Sequence, residues 1–490
     1  MKINATDNVV VALEDIKAGQ LSCDNFHLDL SSPISRGHKV AICEINAGDA
    51  IIKYGYPIGV ATQNIMPGEH VHVHNCRSNL DGSIASIIPK IDNRTPSNNS
   101  PQISFMGYQR DDGSFGIRNE IWIIPTVGCV ANICKKIGLQ ATKSHPELDG
   151  KIHVFAHQFG CSQLSDDLGN IKNLLTSLIC HPNAYRILLV GLGCENNQGS
   201  KIIEALPKFA QEKTLFFKAQ EVADELEVAL NHITKWKHEM AQLQRTPAPL
   251  SSLKIAVKCG GSDGMSGLSA NPLVGHISER IYDADGTIIM GEIPEIFGAE
   301  QVLLQRCATK ETQAKFLETI GNFKEYFTKN QIAVYENPSP GNKDGGITTL
   351  EEKSLGAVQK AGKATITDLI NYGGRTNKAG LNVVYTPGND GISSTAFAAA
   401  GAHIILFTTG RGTPMGFPVP TLKIASNTAL AERKPNWIDF DAGKIVQSGD
   451  FNSLADELMD LIIQTANGKP SKNEINDERE IAIWKNGVTL

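Results

Sequence analysis

The sequence predicts an α/β protein in which a small N-terminal β-rich domain is followed by two α/β units with mainly parallel sheets. Short strand-like runs punctuated by glycine fill residues 1–90, with little helical pattern. From residue 105 onward, apolar strand-like segments alternate with amphipathic helical patterns, an order typical of parallel, doubly wound sheets. A chain of 490 residues is also too long for one hydrophobic core, so several domains are expected.

Composition and charge argue against several classes of function. The chain has 41% hydrophobic and 20% charged residues, as in an ordinary globular protein. A net charge of -6 argues against a nucleic-acid partner, and no apolar run reaches the roughly 20 residues of a membrane helix. The N-terminus lacks the basic start and apolar core of a signal peptide, so a cytoplasmic location is expected. The ten cysteines should then be reduced, and some are available as ligands.

The predicted domains are residues 1–90, 105–250 and 251–490. Residues 91–104 carry two prolines among Asn and Ser with no apolar period, which predicts an exposed linker. The segment Thr246–Ser252, TPAPLSS, is interpreted as the divider between the two α/β units. These boundaries leave each α/β unit large enough for its own parallel sheet.

Seven apolar runs in the α/β part are predicted strands, each ending in a glycine or a polar loop. They are IWIIPTVGC at 121–129, IHVFAHQFGC at 152–161, RILLVGLGC at 186–194, KIAVKCGG at 254–261, TIIMGEIP at 287–294, NVVYTPGND at 382–390 and HIILFTTGRG at 403–412. Helical patterns lie between them, and residues 219–244 place apolar residues at three- and four-residue steps on one face. Open α/β sheets bind ligands beyond the carboxyl ends of their strands.

The loop after the fourth of these strands is the richest in small polar groups. Residues 253–275 contain five glycines, with Ser262 and Asp263 in their midst. Glycine lets the backbone turn sharply and approach a ligand, and short hydroxyl and carboxyl groups supply hydrogen bonds. Ser262 and Asp263 are therefore candidates for holding a substrate, and a tight turn without a ligand is the alternative.

Four of the predicted strands end in a cysteine. These residues are Cys129, Cys161, Cys194 and Cys259. Gln163 follows the second of them, and Asn196 and Asn197 follow the third, so amide groups lie beside the thiols. A buried cysteine is usually a small apolar residue, and the wide spacing is not that of a paired-cysteine motif. A zinc or iron–sulfur centre is therefore the weaker interpretation.

Three alternate histidines occur in Glu69–Asn75. Because residues two apart on a strand share a face, His70, His72 and His74 are predicted to point the same way. Neutral imidazoles on one face suit a divalent metal. An exposed polar strand face is the alternative.

Two arginines and one further histidine are candidates for contacts with an acidic substrate. Arg110 and Arg118 flank a glycine turn just before a predicted strand, and arginine forks match carboxylates. A hairpin with solvated arginines is the alternative. His157 is a candidate general base near neutral pH, or a histidine satisfied within the core.

Taken together, these motifs resemble the altronate/galactarate dehydratase family, nearly from end to end. The residues that carry the resemblance are GHKVA at 37–41, IIKYGYPIG at 51–59, GEHVHVHN at 68–75, GIRNEIWIIPTVGC at 116–129, HQFGCSQ at 157–163, GLGCENNQ at 191–198, KCGGSDGMSG at 258–267, GAEQ at 298–301, ENPSPGNKDGGITTLEEKSLG at 336–356, TPGND at 386–390, FTTGRGTP at 407–414 and NWIDFDAG at 436–443.

The resemblance implies an SAF (β-clip) domain at the N-terminus and a hydro-lyase acting on a small-molecule sugar acid. The implied reaction of hexuronate breakdown is the conversion of D-altronate to 2-dehydro-3-deoxy-D-gluconate, with galactarate as the alternative substrate. A non-catalytic sugar-acid sensor is a more distant alternative. The resemblance also implies Fe²⁺, or else Mn²⁺ or another divalent metal. A dehydratase with an iron–sulfur cluster on Cys129, Cys161, Cys194 and Cys259 is a less favoured alternative. The oligomeric state is left open, a homo-oligomer included.

Roles for individual residues follow from the chemistry of this elimination, which removes the C2 proton beside a carboxylate and expels the C3 hydroxyl. The predicted metal ligands are His72 and His74, completed by Cys161 or Cys194. The candidate bases are His157 and Lys258. The residues predicted to hold the carboxylate and hydroxyls are Arg110, Arg118, Gln163, Asn196, Asn197, Ser262 and Asp263.

Overall fold

The structure, a computed structural model, describes residues 1–23, 26–81, 88–97 and 103–490. It has the predicted class, because a β-rich N-terminal region precedes two parallel sheets of four and seven strands. The linker predicted at 91–104 lies partly outside the described residues, at positions 98–102. Among the described residues, no helix combines the length and the apolar character needed to cross a bilayer.

The N-terminal region consists of short antiparallel strands. They are β1 (Val9–Val11), β2 (Gly19–Cys23), β3 (Phe26–Leu30), β4 (Lys39–Ala41), β5 (Ala50–Lys53), β6 (Tyr56–Ala61), β7 (His70–Val71) and β8 (Cys76–Arg77). They pair as β1-β4-β7, β2-β3 and β5-β6-β8. The predicted histidine strand is wrong beyond Val71, since His72 and His74 lie in a turn. Asn75 closes that turn, because its side chain accepts a hydrogen bond from the His72 amide.

The middle of the chain forms a four-stranded parallel sheet in the order β12-β11-β13-β14. Its elements, with a small flanking sheet, are β9 (Ser104–Gln109), β10 (Phe115–Gly116), β11 (Glu120–Pro125), α1 (Ala131–Ser144), β12 (Ile152–Val154), α2 (Ser165–Ile179), β13 (Ala184–Gly191), α3 (Gly199–Ala205), α4 (Lys208–Glu212), β14 (Thr214–Lys218), α5 (Glu225–Ala241) and β15 (Thr246–Pro249). The helical pattern at 219–244 corresponds to α5, which buries Ile233 and Trp236. The supposed divider at 246–252 contains β15, which pairs with β9.

The C-terminal half forms a seven-stranded parallel sheet in the order β18-β19-β17-β16-β20-β21-β22. Its elements are β16 (Lys254–Cys259), α6 (Ala270–Asp283), β17 (Thr287–Met290), α7 (Glu300–Leu304), α8 (Lys310–Lys329), α9 (Pro340–Asp344), α10 (Leu350–Ala357), β18 (Ile366–Ile370), β19 (Gly380–Val384), α11 (Asp390–Ala399), β20 (Ile404–Thr409), β21 (Thr421–Ala425), α12 (Thr428–Arg433), β22 (Phe440–Asp441), α13 (Ile445–Ser448), α14 (Phe451–Ala466) and α15 (Lys472–Ile475). Helices cover both faces of this sheet, so β20 and β21 are buried along their whole length.

All seven predicted strands are present in the structure, but β14, β18, β21 and β22 were not predicted. Their apolar runs are short and contain or end in a charged residue, as in ITDLI of β18 and TLKIA of β21. Such segments carry too weak a periodic signal to be recognised alone. Pairing with neighbours in the sheet is what makes them strands.

The N-terminal region docks directly on the C-terminal half. Lys39 and Lys53, both nearly inaccessible to solvent, donate to opposite oxygens of Glu352 at 2.9 and 2.7 Å. Burial by itself would raise the pKa of Glu352, but the two ammonium groups hold the pKa well below its usual value. The backbones also meet, since a Cβ on Gly264 would lie 2.0 Å from the carbonyl oxygen of Gly37. These contacts fix the orientation of the N-terminal region.

The described part of the predicted linker is exposed but also anchored. The Asp92 amide donates to the Gln305 carbonyl at 2.7 Å, and the Arg94 guanidinium pairs with Asp283 at 2.5 Å. The segment is therefore held against the C-terminal half over residues 92–94.

Candidate functional site

Most of the residues singled out in the sequence lie at the carboxyl ends of the two parallel sheets. In the seven-stranded sheet, β16 ends at Cys259, and the loops after β17 and β19 lead to Glu292 and Asp390. In the four-stranded sheet, the loops after β11, β12 and β13 carry Cys129, Cys161 and Cys194. Each edge is a place where an open α/β sheet binds ligands.

A cluster of ionisable groups, here called the ionic cluster, fills the edge of the seven-stranded sheet. Its members are Lys258, Cys259, Glu292, Glu295, Lys353, Lys360 and Asp390. Lys258 contacts Glu292 directly and lies 2.7 Å from an oxygen of Asp390. Lys360 lies 2.8 Å from the Cys259 sulfur and 3.1 Å from the second oxygen of Glu292. Glu295 contacts Cys259 at 3.3 Å and Lys353 at 2.9 Å.

The position of Glu292 depends on an uncommon backbone conformation. This residue has φ 60° and ψ 51°, in the left-handed region that a residue with a side chain adopts infrequently. The Glu292 amide donates to the Thr386 hydroxyl at 2.8 Å, and the next amide donates to the Thr386 carbonyl at 3.0 Å. The loop after β19 therefore holds the loop after β17 and turns the carboxylate toward Lys258. Strain of this kind is concentrated at functional sites.

The electrostatics of the cluster keep Lys258 and Lys360 charged. Burial favours neutral lysine, but Asp390 and Glu292 raise the pKa of Lys258 well above its usual value. Burial likewise opposes the charge on Lys360, yet the neighbouring thiol and carboxylates raise its pKa. Burial raises the pKa of the Cys259 thiol to about 11. Lys258 is therefore an ammonium in this arrangement, suited to stabilising negative charge, whereas the predicted base role requires its neutral form.

Exposure distinguishes Asp390 from the rest of the cluster. Its side chain is 36% exposed, whereas the side chains of Lys258 and Glu292 are 0% and 1% exposed. Asp390 begins helix α11, so its carboxylate also lies at the favourable N-terminal end of a helix. It is the member of the cluster that a bound small molecule can reach first.

The ionic cluster contains ligand atoms that are close enough to hold one metal ion. Cys259, Glu292 and Glu295 each place such an atom within 4.8 Å of the other two, and no other such group occurs among the described residues. Each of these groups is, however, already paired with a lysine ammonium. A cation entering here has to displace buried positive charge, which disfavours a divalent metal in the cluster as built.

Asp263 and the Ser262 backbone make hydrogen bonds within the protein. Asp263 accepts hydrogen bonds from Ser266 at 2.8 Å and Ser426 at 2.9 Å, and Asn427 donates to its other oxygen at 3.1 Å. The Ser262 carbonyl accepts from the Asn342 amide at 2.8 Å. The pair holds the glycine-rich loop against its neighbours, and direct contact with a substrate stays a prediction.

The edge of the four-stranded sheet carries three exposed thiols, here called the cysteine edge. They belong to Cys129, Cys161 and Cys194, one on each of three adjacent loops. The Gly128 amide donates to the Phe159 carbonyl at 2.8 Å, and the Asn197 amide donates to the Gly160 carbonyl at 2.9 Å. The three loops therefore form one continuous hydrogen-bonded edge.

The amide residues predicted to bind substrate tie these loops together. Gln163 accepts from the Gly160 amide at 2.7 Å, Asn196 accepts from the Ser162 amide at 2.8 Å, and Asn197 donates to the Thr126 carbonyl at 2.9 Å. These three hydrogen bonds position the cysteine loops. A direct role in substrate binding stays a prediction.

His157 has the environment of a satisfied core histidine. Its Nε2 donates to the Pro125 carbonyl at 2.8 Å, and its Nδ1 accepts from the Phe159 amide at 3.2 Å. Burial lowers the pKa of His157 to about 4. With both ring nitrogens engaged by backbone, this arrangement favours the structural alternative over the general base.

The histidines of the N-terminal region cluster although they are not on one strand. The rings of His70 and His72 lie 5.4 Å apart, and His38 joins them with its Nδ1 2.9 Å from Nε2 of His70. The His72 ring donates to the Lys343 carbonyl at 2.9 Å, while the ring of His74 lies 5.5 Å from that of His70. Burial lowers the pKa of His70 and of His72 to about 4, so these imidazoles are neutral.

The four predicted metal ligands do not form one compact group. His72 lies against the C-terminal half, whereas Cys161 and Cys194 lie on loops of the four-stranded sheet. Among the described residues, no set of three ligand atoms within 4.8 Å includes a histidine. A mononuclear site that combines His72 and His74 with one of these cysteines is therefore not assembled in this arrangement.

Arg110 and Arg118 lie at the opposite end of the four-stranded sheet from the cysteines. Both precede β11, a strand of six residues that spans about 20 Å. Arg118 makes a two-pronged ion pair with Glu474 at 2.7 and 2.9 Å, and Arg110 donates to the Pro182 and Arg118 carbonyls. Their donors are therefore engaged by the protein, which favours a structural role for both.

Sequence reasoning missed five members of the ionic cluster. Glu292 and Asp390 lie at the ends of the predicted segments TIIMGEIP and NVVYTPGND, so their position at a strand end was available as a signal. Glu295, Lys353 and Lys360 gave no comparable signal, because helical segments away from the strand ends carry them.

The two edges are joined by the last residues of the chain. The Ala482 amide donates to the Thr395 hydroxyl in helix α11, which begins at Asp390. Eight residues later, the Leu490 amide donates to the Ser162 carbonyl beside Cys161. Eight extended residues span at most about 26 Å, which bounds the separation of the two attachment points.

Three family models match the chain and together cover nearly all of it. The model described as Altronate/galactarate dehydratase SAF domain matches residues 1–79. The one described as D-galactarate dehydratase/Altronate hydrolase, second domain, matches residues 107–241. The one described as D-galactarate/Altronate dehydratase, C-terminal, matches residues 250–489.

Curated relatives match along the whole chain. The chain is 45% identical to the altronate dehydratase of Escherichia coli (strain K12) and 46% identical to that of Bacillus subtilis (strain 168), covering 100% of this chain and 99% of each relative. It is 32% identical to the galactarate dehydratase (L-threo-forming) of Escherichia coli (strain K12), covering 96% of this chain and 93% of that protein.

Proposed function

This chain belongs to the D-galactarate/altronate dehydratase family, and we propose that it removes water from D-altronate to give 2-dehydro-3-deoxy-D-gluconate. The observation that carries this proposal is the 45% and 46% identity to two altronate dehydratases over the full length of the chain. Identity to the galactarate dehydratase is lower, at 32%. Altronate is therefore preferred over galactarate as the substrate.

The reaction has two chemical requirements. The C2 proton is weakly acidic, because its removal adds negative charge to a group that already carries a carboxylate. The C3 hydroxyl is a poor leaving group unless it is protonated or bound to a Lewis acid. A site for this elimination must therefore stabilise an anion, accept one proton and assist the departing hydroxide.

The ionic cluster meets the first two requirements. We assign the ammonium groups of Lys258 and Lys360 to the developing negative charge, since both are buried and fixed by Glu292. Asp390 is assigned as the group that accepts the C2 proton, because it is the exposed carboxylate of the cluster. In this proposal Lys258 acts as an ammonium and not as the base predicted from the sequence.

A divalent metal, expected from the family resemblance, would supply a Lewis acid for the substrate carboxylate and the leaving hydroxyl. The ionic cluster does not fit such an ion alongside three lysines. The neutral rings of His72 and its neighbours remain candidates for Fe²⁺ or Mn²⁺. Cys161 and Cys194 offer a different kind of ligand set, because they share an edge with Cys129.

Anaerobic turnover of D-altronate by the full-length protein tests the proposed function. We expect keto-acid to form faster from D-altronate than from galactarate, and more slowly after the metal is removed and not replaced. Preferential turnover of galactarate would reassign the substrate. Tight binding of altronate without product from either sugar acid would favour the sensor alternative.

A further inference from the structure

We propose that the cysteine edge holds a cuboidal iron–sulfur cluster through Cys129, Cys161 and Cys194. With three protein ligands, one iron of the cluster keeps a position open to a ligand from outside the protein. The role of that open iron in the reaction rests on the proposed function, whereas the binding of the cluster rests on the geometry of the cysteines alone.

The donor set suits iron and sulfide. Thiolates are the usual protein ligands of iron–sulfur clusters, and three thiols lie exposed on adjacent loops. The loops follow β12, β11 and β13, which are consecutive in the sheet order. Three neighbouring strands thus deliver three soft ligands to one edge, although the cysteines are far apart in the sequence.

The three cysteine sulfurs are not arranged as ligands of one metal ion. Two ligands of one zinc ion, each about 2.3 Å from the metal, lie at most about 4.6 Å apart. Among the described residues, the one group of ligand atoms that all lie within 4.8 Å is in the ionic cluster, so the three cysteine sulfurs are not all this close together. A polynuclear centre spans a wider set of ligands than one metal ion can.

The loops that carry these cysteines are built as a rigid frame. Gly160, directly before Cys161, has φ +108°, and a Cβ there would lie 2.2 Å from the Thr126 carbonyl oxygen. Only glycine allows the two loops to approach in this way. The amides of Gln163, Asn196 and Asn197 then lock the loops together. Groups that orient metal ligands in this manner are typical of built metal sites.

Cys259 is not the fourth ligand of such a cluster. It lies in the other sheet, buried, with Lys360 at 2.8 Å and Glu295 at 3.3 Å from its sulfur. The cysteine edge therefore offers three thiols. A cuboidal cluster has four iron atoms, so one of them is left without a cysteine ligand. An open position is the feature that separates catalytic from structural metal sites.

The first experiment measures the metal content of the full-length protein purified anaerobically from iron-replete cells. We expect iron and acid-labile sulfide in roughly equal amounts, together with the broad visible absorbance of a sulfide-bridged cluster. Iron without sulfide, or zinc in place of iron, would overturn the proposal. This readout does not depend on turnover of any substrate.

The second experiment locates the cluster with single substitutions. We expect Cys129→Ser, Cys161→Ser and Cys194→Ser each to lose most of the iron and sulfide while keeping the circular dichroism of the parent. Cys43→Ser is the matched control, because Cys43 is an exposed thiol in the N-terminal region. Retention of both iron and sulfide by all three edge variants would refute the site, as would their loss in Cys259→Ser alone.

Turnover measured on the same samples separates the two proposals. Suppose that the edge variants lose the cluster and that the parent protein dehydrates neither altronate nor galactarate. This result would support the cluster site and refute the proposed function. Undiminished altronate turnover by cluster-free Cys161→Ser would support the proposed function and refute the catalytic role of the open iron.

Discussion

At the carboxyl edge of the seven-stranded sheet the ionisable groups are buried and paired with one another, whereas at the edge of the four-stranded sheet three thiols face solvent. Lys258 and Glu292 have almost no exposed surface, yet Cys129, Cys161 and Cys194 are all exposed. Both edges occupy the same place in an α/β sheet, so the difference arises from the loops rather than from the fold.

The two edges are built in different ways. The ionic cluster carries its own charges, oriented by neighbouring groups before any substrate arrives, which is the arrangement that stabilises charge in a transition state at least cost. At the cysteine edge, the described contacts of the Cys161 and Cys194 sulfurs are with the uncharged side chains of Ser162 and Gln220, which leaves soft ligands for a group brought in from outside. Each edge can therefore be tested separately from the other.

The largest effect is expected from removing the exposed carboxylate of the ionic cluster. Asp390→Asn should lower kcat for altronate by about 10³-fold, because it removes the proposed proton acceptor. Iron and sulfide content should not change, since the cysteine edge is untouched. Asp368→Asn is the matched control, because Asp368 is a carboxylate of the same sheet that pairs with Lys315 and Lys378 outside the cluster. Equal kcat in Asp390→Asn and the parent would contradict the assignment.

A second prediction concerns the ion pairs that dock the N-terminal region on the C-terminal half. Glu352→Gln should lower the free energy of unfolding by about 3–5 kcal/mol, because it leaves Lys39 and Lys53 buried without a counter-charge. Denaturant unfolding followed by circular dichroism measures this change.

The neighbouring Glu351→Gln is the control for that experiment. Glu351 is also buried, but it accepts hydrogen bonds from Ser78 and the Asn79 amide and pairs with no lysine in the part of the chain that the structure describes. Its substitution should cost less than about 1.5 kcal/mol. Similar losses in both variants would show that the ion pairs to Glu352 do not hold the N-terminal region.

A third prediction tests the histidine that supports the cysteine edge. The pKa of His157 is lowered to about 4 in the folded protein, below the usual 6.5, so the unfolded chain binds more protons between these values. The contribution of His157 to the free energy of unfolding is fully present above pH 6.5. It is lost as the pH falls toward 4, and the loss is up to about 3 kcal/mol. Comparing the pH dependence of unfolding in the parent and in His157→Gln measures it. A slope that is identical in both proteins over this range would be the contrary result.

The smallest effect is expected from the cysteine of the ionic cluster. Cys259→Ser keeps a polar group beside Lys360 and Glu295, so kcat should fall by only about 10-fold, as for a residue that orients charged neighbours. Iron and sulfide should stay at the level of the parent. Metal analysis and turnover measured on one preparation give both values. Loss of iron in this variant would show that the metal lies at the ionic cluster and not at the cysteine edge.

The sequence alone identified the architecture because parallel sheets leave a strong linear signal. Buried strands such as β16 and β20 are continuous apolar runs, and their ends are marked by glycine and by polar residues. The same logic placed Cys129, Cys161, Cys194 and Lys258 at strand ends, where the structure has them. The motifs at these strand ends also supported the family resemblance, which the matching family models and the two altronate dehydratases confirm.

Only the tertiary structure decided which of these residues share a site. Three of the cysteines lie on adjacent loops, whereas Cys259 belongs to another sheet. Their spacing in the chain does not reveal this, because the order of strands in a sheet differs from their order in the sequence. Nor does the sequence show whether a polar side chain is free. Arg118 and His157 were predicted to serve the substrate or the reaction, yet the fold engages their nitrogens with Glu474 and with backbone.

The physical reason is that patterning along the chain reports local structure, whereas a site is made of long-range contacts. A strand end fixes where Glu292 leaves the sheet, but the hydrogen bond from its amide to Thr386, 94 residues away, orients its carboxylate. Lys360 meets Cys259 across 101 residues. The charge state of Lys258 follows from such partners, so its chemistry was decided by the tertiary structure and not by its place in the sequence.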